Sequence, residues 1–164
     1  MPLKEGWEVP YNMQDKLEKM ANTDDIGDPI IISECKDVKM VTYGLLIVTD
    51  KGIAYIYEKG ALESLTYGPG TTSKWVRWHD VAGIYSKKPG TIILEVKKRK
   101  EGKILMNKQL GIPKKIELIL KILRNSNETN NHYKQRKAEF FGIVMELYNQ
   151  YKTDIDLATS DSRI

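Results

Sequence analysis

Between Tyr43 and Tyr57 the apolar positions gather into two short runs, Leu45–Val48 and Ile53–Tyr57, on either side of Asp50-Lys51-Gly52. Both runs are rich in β-branched and aromatic residues, which suit a pleated surface. The pattern predicts a β-hairpin, its loop closed by a glycine in the left-handed conformation. Leu45–Val48 is apolar on both faces, which predicts a central strand covered on both sides or closing a barrel. Ile30–Ser33 and Lys39–Thr42 read as strands before it. Further on, Val76 and Trp78 fall on one face of a short run, and Trp75 and Arg77 on the other. His79-Asp80 interrupts the alternation and Val81–Tyr85 resumes it. Thr91–Val96 alternates cleanly, with Ile92, Leu94 and Val96 together. Lys97–Gly102 reads as a turn and Lys103–Met106 as its return arm, a second hairpin with a basic tip.

After Gly111 the period changes. Ile116, Ile119, Leu120 and Leu123 recur at helical spacing behind Pro113, a residue suited to a first helical turn. The expectation is a helix over Pro113–Arg124. A second helix is expected over His132–Tyr151. Its stripe is Phe140, Val144, Leu147, Tyr148 and Tyr151, widened by Phe141 and Met145. Such a stripe must be buried on its own sheet or on another subunit. Near the start, Met13, Leu17 and Met20 suggest a short helix over Asn12–Met20. Lys59–Lys74 is a long glycine-containing connection, with room for one helical turn at Ala61–Leu65. Strands followed by helices indicate an α+β fold with an antiparallel sheet.

At 164 residues the chain suffices for one domain with a sizeable core. Its one cysteine, Cys35, excludes an internal disulfide and reads as a small buried hydrophobe. No apolar run has signal-peptide or membrane-spanning length, so the expected location is the cytoplasm, with a peripheral membrane position as the variant. Charge is uneven: residues 1–86 carry −4, residues 87–152 carry +10 and residues 153–164 carry −2. A basic half favours anionic partners such as lipid headgroups, nucleic acid or acidic protein surfaces; a solvated lysine-rich face is the plainer alternative.

Little in the sequence suggests catalysis. His79 and His132 are the only histidines. His79-Asp80 reads as a pair that satisfies the backbone at a strand break, and His132 as exposed. Neither belongs to a hydrolytic constellation. Asp24, Asp25 and Asp28 lack the Gly and Glu of a calcium loop, and Gly68-Pro69-Gly70-Thr71-Thr72 lacks the Lys of a P-loop. No cofactor, metal or enzymatic activity is expected. Lys97, Lys98, Arg99 and Lys100, with Lys103 on the return arm, form the sharpest cluster. It is a candidate anion- or partner-binding site, although a basic tip also serves to deter edge aggregation. Trp75, Phe140, Phe141, Val144 and Leu147 are candidate interface residues, with packing the commoner role of such a Trp.

Gly44-Leu45-Leu46-Ile47-Val48-Thr49, with Ile53–Tyr57 after the turn, resembles the hairpin of GRAM and bacterial pleckstrin-homology-like (PH-like) domains. Trp78-His79-Asp80-Val81-Ala82-Gly83-Ile84 resembles a later segment of the same family. The resemblance implies a PH-like split antiparallel barrel of about seven strands capped by the Pro113–Arg124 helix; the one additional C-terminal helix, His132–Tyr151, lies beyond the family core. The chain thus divides into a leader (1–28), a PH-like domain (29–126), an extra amphipathic helix (127–152) and a disordered tail (153–164). The resemblance implies a non-enzymatic binding or scaffolding module for a protein partner or an anionic membrane surface. The first strand pair offers only Lys36 and Lys39 beside Glu34 and Asp37, so inositol-phosphate binding does not transfer. Nucleic-acid binding through the basic half, or self-association into a homo-oligomer through the last helix, are the rival readings. The first suffers from the lack of aromatics beside Lys97–Lys100.

Overall fold

The computed structural model describes residues 11–23, 25–68 and 70–161. Helix α1 (Tyr11–Thr23) precedes a four-strand meander: β1 (Pro29–Asp37), β2 (Thr42–Thr49), β3 (Gly52–Glu58) and β4 (Thr71–Arg77). A short helix, α2 (Ala61–Tyr67), lies between β3 and β4. A 3₁₀ turn at Trp78–Asp80 leads to β5 (Val81–Tyr85) and β6 (Thr91–Lys97). Four two-residue strands follow: β7 (Arg99–Lys100), β8 (Lys103–Ile104), β9 (Met106–Asn107) and β10 (Ile112–Pro113). Strand β11 (Lys115–Ile122) returns to the sheet, and α3 (Asn130–Asp161) ends the described chain.

The sheet has seven antiparallel strands in the order β4-β3-β2-β1-β11-β6-β5. Its outer strands β4 and β5 do not pair with each other, so it is an open sheet. This corrects the split barrel expected from the sequence. The expected capping helix is corrected too: Pro113–Arg124 contains strand β11, paired with β6 from Lys115↔Lys97 to Lys121↔Thr91 and with β1 at Cys35↔Ile122. The reason lies in the pattern. Ile116, Leu118, Leu120 and Ile122 alternate on one face while Ile119 is apolar on the other. A strand apolar on both faces can satisfy helical spacing by coincidence, and β11 is only eight residues long. Nor do Lys103–Met106 return to β6. Residues 98–114 leave the sheet as two small hairpins, β7–β8 and β9–β10.

The central hairpin forms with Val48 opposite Ile53. Gly52 is needed for space rather than for a left-handed turn. A Cβ there would stand 2.2 Å from the Val76 carbonyl oxygen of β4. The Thr49 hydroxyl secures the loop, accepting from the Lys51 and Gly52 amides and donating to the Ile26 carbonyl. Residues 38–41, read in part as a strand, are the β1–β2 turn. There the Asp37 carboxylate accepts from the Lys39 and Met40 amides.

Each face of the sheet has its own core. Leu17 and Met20 of α1, with Ile26, cover Ile32, Leu45, Ile47, Ala54 and Ile56. Met13 has no described side chain. On the opposite face α3 brings Phe140 and Val144 against Ile31, Cys35, Leu46, Trp78, Ile92, Leu94, Leu120 and Ile122. Burial raises the Cys35 thiol pKa well above its ordinary value, with the Asp37 charge adding to the effect, so it stays a protonated, apolar filler.

One polar anchor fixes the start of α3. The buried Arg136 guanidinium donates from Nε (2.7 Å) and Nη2 (2.9 Å) to the two Glu128 carboxylate oxygens, and from Nη1 to the Ser33 hydroxyl of β1 (2.6 Å). Nη2 also donates to the Leu123 carbonyl. Glu128 accepts from the Asn125 amide and meets His132 Nδ1 at 2.6 Å. The Arg136 hydrogen bonds are the main reason its pKa falls to about 2. At its far end α3 runs through residues 153–161, expected as a disordered tail. No Gly or Pro lies between Ile143 and Asp161, and Gln150 donates to Asp154 four residues on.

Candidate functional site

Three connections are distinctive: the β1–β2 turn, the β3–β4 connection with α2, and the β6–β11 excursion. All three present large apolar side chains to solvent. Met40 and Val41 are 53% and 61% exposed, Leu65 and Tyr67 are 84% and 75%, and Leu110 is 67%. Met106 and Ile112 are exposed beside Leu110. Scattered apolar exposure is ordinary; three exposed apolar residues on one small hairpin, Met106, Leu110 and Ile112, mark a candidate interaction surface.

The excursion is a three-way junction. The Lys98 amide donates to the Lys114 carbonyl, the Lys114 amide to the Leu105 carbonyl, and the Leu105 amide to the Lys98 carbonyl, each at 2.8 Å. Three hairpins meet at this ring: the sheet pair β6–β11, the basic finger β7–β8 and the apolar finger β9–β10. Glu101 and Gly102 turn the basic finger with φ of +54° and +78°, as a two-residue type I′ loop requires. In the apolar finger Asn107 Oδ1 accepts from the Gln109 and Leu110 amides, which thrusts Leu110 to the tip.

The structure divides the predicted basic cluster into two kinds of residue. Arg99 is committed within the chain. Its Nε and Nη2 reach Asp80 Oδ1 at 2.8 and 2.7 Å, and its Nη1 donates to the Gly102 carbonyl. Nη2 also lies 2.9 Å from His79 Nε2. Lys97 donates to the His79 carbonyl. Lys97 and Arg99 therefore staple the base of the fingers to the 3₁₀ turn. Lys98, Lys100 and Lys103 are exposed, and among the described residues none has an ion-pair partner. Residues 97–115 hold eight basic side chains and one acidic one, Glu101.

The predicted interface residues lie elsewhere. Phe140 and Val144 are fully buried in this chain's own core, and Phe141 and Leu147 pack at its margin. Trp75 is half-buried against the α1 cluster, its indole N–H buried without an acceptor among the described residues. The sequence reading missed the apolar finger. Its signal was present in Met106-Asn107 and Gly111-Ile112, apolar residues bracketing turn-forming ones.

Val41 is notable in the β1–β2 turn. It holds φ of +53°, a region costly for a β-branched residue, while its side chain points to solvent. Stability alone would favour Gly or Asn at this turn.

His132 is exposed at the α3 start, where its ring meets the Glu128 anchor and its amide donates to the Thr129 hydroxyl. Among the described residues no group of three or more His, Cys, Asp or Glu is placed to hold a metal, and no helix is long and apolar enough to cross a membrane. Family models and curated proteins yield no match to this chain.

Proposed function

We propose that this chain is a non-enzymatic binding module that docks on anionic membrane surfaces through the end of the sheet bearing the two fingers. One observation carries the reading: exposed apolar side chains, Leu110 foremost, and lysines without a counter-ion among the described residues stand on two fingers with one root. An apolar tip enters the headgroup boundary while the lysines stay at the anionic surface, at about 1 kcal/mol each. The resemblance of Gly44–Tyr57 and Trp78–Ile84 to GRAM and PH-like domains supports a binding role and stands as part of this proposal.

Cosedimentation with vesicles of phosphatidylcholine alone, or with a third phosphatidylserine, tests it. Lys98→Ala/Lys100→Ala/Lys103→Ala should reduce binding to anionic vesicles by ten-fold or more, because two to three kcal/mol of attraction disappear. Leu110→Asp should weaken it independently of salt. Binding by wild type that is equal on both vesicle types, or absent at low salt, defeats the reading. Tight, salt-sensitive RNA binding by the same lysines would replace it with nucleic-acid recognition.

A further inference from the structure

The half of the sheet formed by β5, β6 and β11 is covered by α3 on one face only. On the other face lies a groove of about 680 Å³, within the range of small-molecule sites. Ile93 of β6 and Ile119 of β11 stand opposite each other in its floor, and Val38 borders them. Four lysines from three elements surround this floor. Lys87 and Lys88 come from the β5–β6 turn, Lys121 from the end of β11, and Lys137 from α3. Among the described residues none of the four is in an ion pair.

Two of these charges have distinctive surroundings. Lys121 stands directly across from Lys36 of β1, and like charges in that register repel. Lys137 is built into the wall. Its stem crosses Gly90, where a Cβ would meet its Cδ at 2.4 Å, and its ammonium lies 4.3 Å from the centre of the Tyr133 ring. The acidic side chain in the groove, Glu117, is engaged by the Tyr85 hydroxyl at 3.0 Å.

From this geometry we infer a second binding site, for a single-chain lipid anion. Its acyl chain lies on Ile93 and Ile119, and its charged head sits among Lys87, Lys88, Lys121 and Lys137. The site does not depend on the membrane-docking fingers, which emerge from the β6–β11 excursion rather than from this floor.

The test is backbone-amide NMR titration of the full chain with dodecyl phosphate below its micelle concentration. Inorganic phosphate and dodecyltrimethylammonium are the controls. Dodecyl phosphate should produce saturable shifts at Ile93, Ile119 and Tyr133. Lys88→Glu/Lys121→Glu should weaken them at least ten-fold, and the Lys98/Lys100/Lys103 alanine variant should leave them unchanged. Equal shifts from the cationic amphiphile would reduce the site to an apolar patch. Inorganic phosphate reproducing the lysine shifts and tightness would remove the acyl chain from the assignment. Absence of saturable shifts at the floor, or full affinity in the charge-reversed variant, overturns it.

Discussion

Replacing Arg136 with Met should be among the most damaging single changes to this fold. The guanidinium is 6% exposed and supplies both carboxylate contacts to Glu128, the bond to Ser33 of β1 and the bond to the Leu123 carbonyl. Met fills comparable space but leaves Glu128 buried without its cation. Breaking a buried pair from one side costs about 3–5 kcal/mol. A second route gives a similar size. Glu128 titrates at about 2 instead of 4.5, and at roughly 1.4 kcal/mol per unit this is about 3 kcal/mol favouring the ionised form in the folded protein. That stabilisation is complete above the unfolded value of 4.5 and is lost as the pH falls towards about 2. In Arg136→Met this acid-sensitive stabilisation shrinks, because desolvation of Glu128 is then opposed only by the Asn125 amide and His132. Urea denaturation at pH 7 and at pH 3 reads both effects. The stability gap between wild type and variant should be large at pH 7 and should narrow at pH 3. The double variant Glu128→Gln/Arg136→Met should lose markedly less than Arg136→Met alone. A pH 7 loss below about 1 kcal/mol, or a gap unchanged between the two pH values, would show that the anchor is not coupled as described.

Phe140→Ala empties a fully buried site between α3 and the sheet, and should cost about 3–5 kcal/mol in urea denaturation without changing elution volume. A shift in oligomeric state would instead reveal a shared helix interface. Val41→Gly relieves a left-handed β-branched residue and should raise stability by about 1 kcal/mol in the same assay. Unchanged or lower stability would show that the turn stores no strain.

Legibility from sequence followed how many constraints agreed locally. The β2–β3 hairpin and β6 combine alternation, β-branched residues and turn chemistry, and each lies where its pattern places it. The last helix was also readable, since Phe140, Val144 and Leu147 hold their spacing with no competing strand pattern. Strand β11 defeated the reading because its partner is β6, beyond an excursion of 17 residues, 98–114, that no local pattern reveals. Its two apolar faces also erase the period. The open sheet edge was hidden for a related reason: hydrogen bonding between β4 and β5 would be a relation between strands that sequence alternation does not encode. In the basic cluster the charges were plain, but their division into stapling and free residues depends on Asp80 and His79 of the 3₁₀ turn. Arg99 reaches both across about 20 positions of sequence.

The ring of backbone hydrogen bonds joining Lys98, Leu105 and Lys114 separates the register of β6 and β11 from whatever lies beyond it. The two fingers can therefore change length while the sheet beneath them keeps its pairing, because each begins and ends at a fixed point. Lengthening a loop already closed at its base adds little entropic cost. Foreign peptides grafted between Glu101 and Gly102, or at Gln109-Leu110, should be displayed side by side from one rigid root. Lineages carrying this architecture could retarget the module by exchanging a few tip residues, with no repacking of either core.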